Sequence, residues 1–191
     1  DQTVKLWDAE RGDLLNTFSG HTDYVWTVAF HPNGQIIASG GADGVVKIWD
    51  MESGTSIKTF DGHGDAVIWV TFSPDGQYVA SCSRDKSVKI WNIGSGELFR
   101  SFHGHTDAVL SVEFSPGGKN VLSSSADQTI KLWELTTGRL LYSVEEHEYA
   151  VISVDFSPDG RFFVSGRADE TAKIWKTENG TLINTIDQMS D

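Results

Sequence analysis

Short runs of apolar residues alternate with polar positions along the whole chain, and turn-forming residues separate the runs at regular intervals. One representative stretch predicts four β-strands, over residues 108–114, 120–124, 129–133 and 140–144. Pro and Gly occupy the first connection, where Pro fixes φ and Gly tolerates positive φ. No stretch has the apolar spacing of a long amphipathic helix. The pattern therefore predicts an all-β chain built from short antiparallel strands.

Four types of residue recur along the chain with a period of 42 residues. The series are Trp7, Trp49, Trp91, Trp133 and Trp175; Asp1, Asp43, Asp85, Asp127 and Asp169; His21, His63, His105 and His147; and Gly12, Gly54, Gly96, Gly138 and Gly180. Residues 62–103 match residues 104–145 at 19 of 42 positions, which indicates one structural unit repeated in tandem. A single four-stranded sheet cannot bury its two apolar faces alone, whereas radial stacking of such sheets buries both. The repeat therefore predicts a β-propeller.

The residues at the repeat boundaries resemble the WD40 (tryptophan–aspartate) family of β-propellers. Gly-His pairs precede the first strand at Gly20-His21, Gly62-His63 and Gly104-His105, while Glu146-His147 departs from the pattern. Trp-Asp pairs close the third strand at Trp7-Asp8 and Trp49-Asp50, followed by Trp91-Asn92, Trp133-Glu134 and Trp175-Lys176. The resemblance covers nearly the whole chain and is specific for fold, but one fold serves many functions.

The repeat divides the chain into four full blades and half of another. The half blade covers residues 1–19, and the full blades cover residues 20–60, 62–102, 104–144 and 147–186. Families of this type most often have about seven blades, so we expect the chain to be part of a larger propeller, or to close by assembly with its own copies. An open arc would expose two apolar blade faces and favour self-association.

The resemblance also implies a buried hydrogen-bonded tetrad in each full blade, made of His, Ser, Asp and Trp. The matching residues are His21, Ser39, Asp43 and Trp49; His63, Ser81, Asp85 and Trp91; His105, Ser123, Asp127 and Trp133; and His147, Ser165, Asp169 and Trp175. Asp accepts from imidazole, the second ring nitrogen bonds the Ser hydroxyl, and that hydroxyl accepts from the indole N–H. Such a chain of bonds satisfies every buried polar group and joins three strands.

Composition and charge exclude several classes of partner. The formal net charge of −12 argues against non-specific binding to nucleic acid or to anionic membranes, both of which need an excess of cations. No apolar run is long enough to span a membrane, and the N-terminus has no signal-peptide core. Cys82 is the single cysteine, so no disulfide forms within the chain, and we expect a reducing, cytoplasmic location. The other repeats have small residues at the position of Cys82, which predicts that the Cys82 side chain is buried.

Catalytic and metal-binding interpretations are weaker than structural ones. Ser, His and Asp together suggest a hydrolase, but here they recur in every blade and packing explains them. His103 and His105 form a His-x-His pair, although His105 belongs to a tetrad. Asp23, Asp65 and Asp107 lack the dense carboxylate spacing of a calcium loop. We therefore expect no enzyme activity, no metal and no cofactor.

Partner contacts in this family often come from the narrow top face, at the start of the first strand and before the turn Asp. The positions carried over by phase are Tyr24, Trp26, Ile68, Arg84, Leu110 and Ile152. Tyr, Trp and Arg dominate binding hot spots, which favours Tyr24, Trp26 and Arg84, although Trp26 has apolar counterparts and is equally consistent with packing. Arg167 is a weaker candidate. Trp69 occupies a phase of small residues, where it either fills a gap between blades or lines the central channel.

The resemblance implies a non-catalytic protein–protein interaction scaffold that presents divergent top-face and rim residues to other proteins. The alternative is a propeller that senses a ligand or partner within a larger multidomain signalling protein. An attached ATPase, protease or kinase domain would favour the alternative.

Overall fold

The computed structural model describes residues 1–167 and 171–186, and their regular structure is entirely β-strand. The strands are β1 (Thr3–Trp7), β2 (Leu14–Ser19), β3 (Val25–Phe30), β4 (Ile36–Gly41), β5 (Val45–Asp50), β6 (Ser56–Asp61), β7 (Val67–Phe72), β8 (Tyr78–Ser83), β9 (Ser87–Asn92), β10 (Leu98–His103), β11 (Val109–Phe114), β12 (Asn120–Ser125), β13 (Ile130–Glu134), β14 (Leu140–Val144), β15 (Val151–Phe156), β16 (Phe162–Arg167), β17 (Ala172–Lys176) and β18 (Leu182–Ile186).

The strands form one hairpin and four four-stranded antiparallel sheets, in which neighbours in sequence are neighbours in space. Strands β1 and β2 form the N-terminal hairpin. Blade 1 contains β3–β6, blade 2 contains β7–β10, blade 3 contains β11–β14 and blade 4 contains β15–β18. This arrangement confirms the predicted all-β propeller architecture of four full blades and part of a fifth.

The strand bounds differ from the sequence prediction by one residue at most. In blade 3 the first strand begins at Val109 rather than at residue 108, and the Ala108 carbonyl just before it accepts the Ala126 N–H. The second strand extends to Ser125, and the third covers Ile130–Glu134 instead of residues 129–133. The fourth strand, Leu140–Val144, has the predicted bounds.

The hydrophobic core lies between the sheets, as stacked blades require. Blades 1 and 2 share a cluster that contains Ile48, Phe60 and Val67, and equivalent clusters join blades 2 and 3 and blades 3 and 4. Each cluster includes a large aromatic contact: the Phe60 and Trp91 rings stack with centroids 5.2 Å apart. Each blade therefore depends on its neighbour to bury its apolar face.

Two ends of the blades carry different loops. The top face holds the entry to each first strand and the turn between the second and third strands, and the bottom face holds the other turns. Each first strand starts with a β-bulge at the top face. In blade 1, Val25 pairs with Gly41 and Thr27 pairs with Gly40, so Trp26 has no opposing residue. The same shift places Ile68, Leu110 and Ile152 at the bulges of blades 2, 3 and 4.

Candidate functional site

Blade 2 shows how the repeated polar residues are connected. Nδ1 of His63 lies 2.8 Å from Asp85 Oδ2, and Nε2 lies 2.7 Å from Ser81 Oγ. The Trp91 indole donates to the same hydroxyl at 2.9 Å. Because the carboxylate only accepts, Nδ1 carries the ring hydrogen and Nε2 accepts from Ser81. The four side chains therefore form one directional chain of hydrogen bonds across three strands.

Blades 1 and 3 contain the same network. His21 lies 2.9 Å from Asp43 and 2.7 Å from Ser39, whose hydroxyl accepts from Trp49. The corresponding atoms of His105, Asp127, Ser123 and Trp133 are separated by 2.8–2.9 Å. In blade 4, His147 and Trp175 both bond Ser165, at 3.1 and 2.8 Å. Asp169, the fourth residue of that predicted set, lies outside the described residues.

The tetrad carboxylates are strongly stabilised in their charged form. Burial alone would raise the pKa of Asp85, but bonds from His63, from Ser87 and from the Gly64 amide outweigh it and hold that pKa well below the usual range. The pKa of Asp127 is lowered in the same way. Asp43 has a lowered pKa too, with donors from His21 and from the Thr22 and Val45 amides.

The hydroxyl two residues after the turn Asp is a part of the network that the sequence analysis missed. Ser87 Oγ donates to Asp85 at 2.6 Å, and Thr129 Oγ1 donates to Asp127 at 2.7 Å. Val45 occupies this position in blade 1 and supplies only its backbone N–H. The sequence indicates this hydroxyl through the recurrence of Ser or Thr two residues after the turn Asp.

The tetrad serines are not accessible to a substrate. Ser39, Ser81 and Ser123 have no exposed surface, and each hydroxyl is bonded to both a histidine and a tryptophan. A nucleophile has to reach a substrate carbonyl, whereas these hydroxyls lie inside the sheets. In blades 1, 2 and 3 the arrangement therefore links neighbouring strands and has a structural role.

The top face brings together two of the predicted contact residues from different blades. The guanidinium of Arg84, in the β8–β9 turn of blade 2, lies over the indole of Trp26 in blade 1, 4.6 Å from the ring centroid. Trp26 remains 42% exposed and Tyr24 beside it is 64% exposed. The bulge explains the position of Trp26, since an unpaired residue can turn its side chain away from the ladder. Tyr24, Trp26 and Arg84 form what we call the junction site.

The other bulge residues take different positions. Ile68 packs against the core between blades 2 and 3 and is half-buried, as is Leu110. Ile152 is exposed. These three side chains therefore add apolar surface to the top face. The position of Ile68 is explained by its packing against the core between blades 2 and 3.

A second aromatic–guanidinium pair lies on the top face of blade 4. Arg167 lies over the exposed ring of Tyr149, 5.5 Å from its centroid. Arg167 is a weaker contact candidate from the sequence, whereas Tyr149 is not among the predicted contact residues. The sequence does mark Tyr149 as exceptional, because the other blades have an aspartate at the same position of the repeat, namely Asp23, Asp65 and Asp107. Each of these aspartates accepts the N–H of the following residue at 2.7 Å.

Trp69 forms a contact between blades. Its indole N–H donates to Glu113 Oε1 of blade 3 at 3.2 Å, and the Thr71 hydroxyl donates to Oε2 at 3.0 Å. The first strands β7 and β11 lie against each other here, and the Trp69 ring stays partly exposed. Burial, together with the charge of Asp155 on the next first strand, raises the pKa of Glu113 to about 7 in spite of both hydrogen bonds.

The remaining candidates have simple positions. Cys82 is fully buried, and burial raises the pKa of its thiol well above the ordinary value. His105 belongs to the blade 3 tetrad, while His103 is exposed at the end of β10. Within residues 1–167 and 171–186, no group of three or more His, Cys, Asp or Glu side chains is arranged to hold a metal ion. The same residues include no helix long and apolar enough to cross a membrane.

Comparison with known proteins gives a consistent result. The model of the family described as the WDR3 first beta-propeller domain matches residues 1–177. The WD40 repeat-containing protein HOS15 of Arabidopsis thaliana is 58% identical over 38 residues, 20% of this chain and 6% of that protein. Nuclear distribution protein PAC1 of Tuber melanosporum is 51% identical over 39 residues, 20% of this chain and 8% of that protein.

Cross-pathway control WD-repeat protein 2 of Flammulina velutipes is 42% identical over 45 residues, 24% of this chain and 14% of that protein. The matched segments therefore span a small part of each curated relative, about the length of one repeat.

Proposed function

Because the chain belongs to the WD40-repeat family of β-propellers, we propose that it acts as a protein-interaction scaffold whose partner binds the top face at the junction site. Scaffolding is the general role of the family. The names of the matched relatives differ from one another, so they do not select a partner. The choice of surface rests instead on the residues that break the repeat.

The observation that carries this proposal is the stack of Arg84 on Trp26. Exposed Trp, Tyr and Arg side chains are the residue types that contribute most to binding energy. In the other described blades, the position of Tyr24 is held by Ala66, Ala108 and Ala150. The large side chain of Tyr24 therefore serves no purpose that the repeat requires, and it lies where a partner can reach it.

The scaffold holds this surface rigid before binding. The tetrads fix the strands within each blade, and the apolar clusters fix each blade to the next. Side chains on a rigid support lose little conformational entropy when a partner binds. This property suits a repeated fold that presents a few divergent residues.

Affinity capture from cells tests the proposal when wild-type protein is compared with four variants. Tyr24→Ala and Arg84→Ala alter the junction site. Arg139→Ala and Leu98→Ala alter exposed residues at the bottom face and serve as matched controls. We expect quantitative mass spectrometry to find a partner that both top-face variants lose and both controls retain. Equal recovery of every partner by all four variants would contradict the proposed surface.

A further inference from the structure

The Arg84 guanidinium contacts an indole ring and has no anionic partner among the residues that the structure describes. The ion pairs of the described residues involve other cations, and the side chain of Arg84 contacts the Trp26 ring instead. The indole contacts the guanidinium from one side, with Cζ 4.6 Å from the ring centroid, and a guanidinium has five N–H donors that such a contact does not use. Arg84 is exposed, so these donors are open to an incoming group. A fork of N–H donors without an ion-pair partner among the described residues matches the geometry of a carboxylate.

The neighbouring residues limit the charge that this position accepts. Asp65 precedes Ala66, whose carbonyl accepts the Arg84 backbone N–H at 3.0 Å. Asp23 precedes Tyr24 on the same face, and both aspartates are exposed. A partner segment with several acidic residues, or with a dianionic phosphate, would be repelled by these two carboxylates. A single negative charge directed at Arg84 avoids most of that repulsion.

Tyr24 supplies the apolar part of the surface. Its ring is exposed and adjoins the position of Trp26 in sequence, so a partner residue next to the anionic one can pack against it. Aromatic side chains contribute large contact areas at low entropic cost. The junction site thus combines one cationic position with one apolar position.

We propose that the junction site recognises a protein segment through one Asp or Glu side chain, whose carboxylate binds the Arg84 guanidinium stacked on Trp26, while a neighbouring apolar residue packs on Tyr24. This inference rests on the proposed function and specifies the chemistry of the partner. It selects an isolated carboxylate over an acidic run and over a phosphorylated residue.

A displayed library of random linear peptides, selected on the wild-type protein, tests the inference. We expect the enriched peptides to share one acidic residue beside an apolar one. Replacing that residue by its amide should weaken binding by about tenfold or more, as for a charge-assisted bidentate contact. A second acidic residue added next to it should weaken binding, and a phosphoserine at its position should bind no more tightly than glutamate.

Protein variants provide the matched comparison. Arg84→Gln should abolish the preference for the acidic residue, Arg84→Lys should retain part of it, and Arg139→Gln at the bottom face should leave it unchanged. The amide-substituted peptides test the same contact on unaltered protein, so the result does not depend on the folding of any variant. Tighter binding of the phosphoserine peptide than of the glutamate peptide would overturn the choice of a single carboxylate.

The outcomes separate this inference from the proposed function. Peptides that lose binding with Tyr24→Ala but show no acidic preference, and that ignore Arg84→Gln, would overturn the inference and leave top-face binding intact. Peptides whose binding is unaffected by Tyr24→Ala and by Arg84→Gln would overturn both.

Discussion

Replacing Glu113 by Gln should change how the stability of the protein depends on pH. Glu113 lies between blades 2 and 3, with donors from Trp69 and Thr71 and with Asp155 facing it from β15. Burial raises its pKa from the ordinary value of 4.5 to about 7. Between these two values the folded protein keeps a proton that the unfolded chain has lost. Stability therefore falls as pH rises through this window and stays low above it.

The size of the effect follows from the shift. A change of about 2.5 pH units, at about 1.4 kcal/mol per unit, gives an upper limit of about 3.5 kcal/mol, which solvent at the partly exposed carboxyl reduces. Gln cannot ionise, so the variant lacks this loss. Its amide oxygen can accept from the Trp69 indole and its NH2 group can donate to the Thr71 hydroxyl, so the replacement itself costs about 1 kcal/mol or less at every pH. The dependence on pH therefore carries the prediction, rather than the absolute difference.

Urea unfolding, followed by tryptophan fluorescence from about pH 4.5 to about pH 8, measures the free energy of unfolding of both proteins. The value for Glu113→Gln minus that for wild type should increase up to about pH 7 and then level off. Glu97→Gln removes one negative charge at an exposed turn and serves as the control. A difference between Glu113→Gln and wild type that stays constant over this range would refute the argument that burial dominates at Glu113.

Two further predictions concern the interior of blade 2. Ser81→Ala should lower the free energy of unfolding in urea by about 1–3 kcal/mol, because His63 and Trp91 both lose their shared hydrogen-bond partner. The control Ser56→Ala, at an exposed position, should lower it by less than about 0.5 kcal/mol. Equal losses in the two variants would contradict a role of Ser81 in the network. Cys82 should not react with a disulfide reagent at about pH 8 in the folded protein, because burial raises the pKa of its thiol. The thiol should react once urea unfolds the chain. Labelling of the folded protein would contradict the burial of Cys82.

Much of the fold follows from the period of the sequence. A residue type that returns every 42 positions must occupy the same place in each unit, so the Trp series locates every third strand and the Gly series every turn that follows it. The spacing of Ser, Asp and Trp also identifies which side chains share a blade. Strand ends differ from the prediction by one residue, as at Ala108, which precedes β11 although its carbonyl still accepts a hydrogen bond from Ala126.

The contacts between blades could not be obtained in this way. Phase shows that Trp69 and Glu113 depart from the repeat, but it does not show that one donates to the other across a blade boundary. The direction of Trp26 depends on the β-bulge, which changes the alternation of side chains at the start of β3. Periodicity describes what the units have in common. It contains no information on how two exceptional residues in neighbouring units meet.

The divergent residues are most informative where two of them touch. Trp26 alone is explained by packing, since its counterparts are apolar, and Arg84 alone is an exposed arginine of a kind that many surfaces carry. In the structure the two residues belong to different blades, and Arg84 Cζ lies 4.6 Å from the centroid of the Trp26 ring. Neither residue serves the tetrads, and the stack fixes a cation that no described carboxylate neutralises. A cation that no described carboxylate neutralises is suited to a negatively charged partner, which is why the surface that we propose lies at the boundary between blades 1 and 2 rather than within any single repeat.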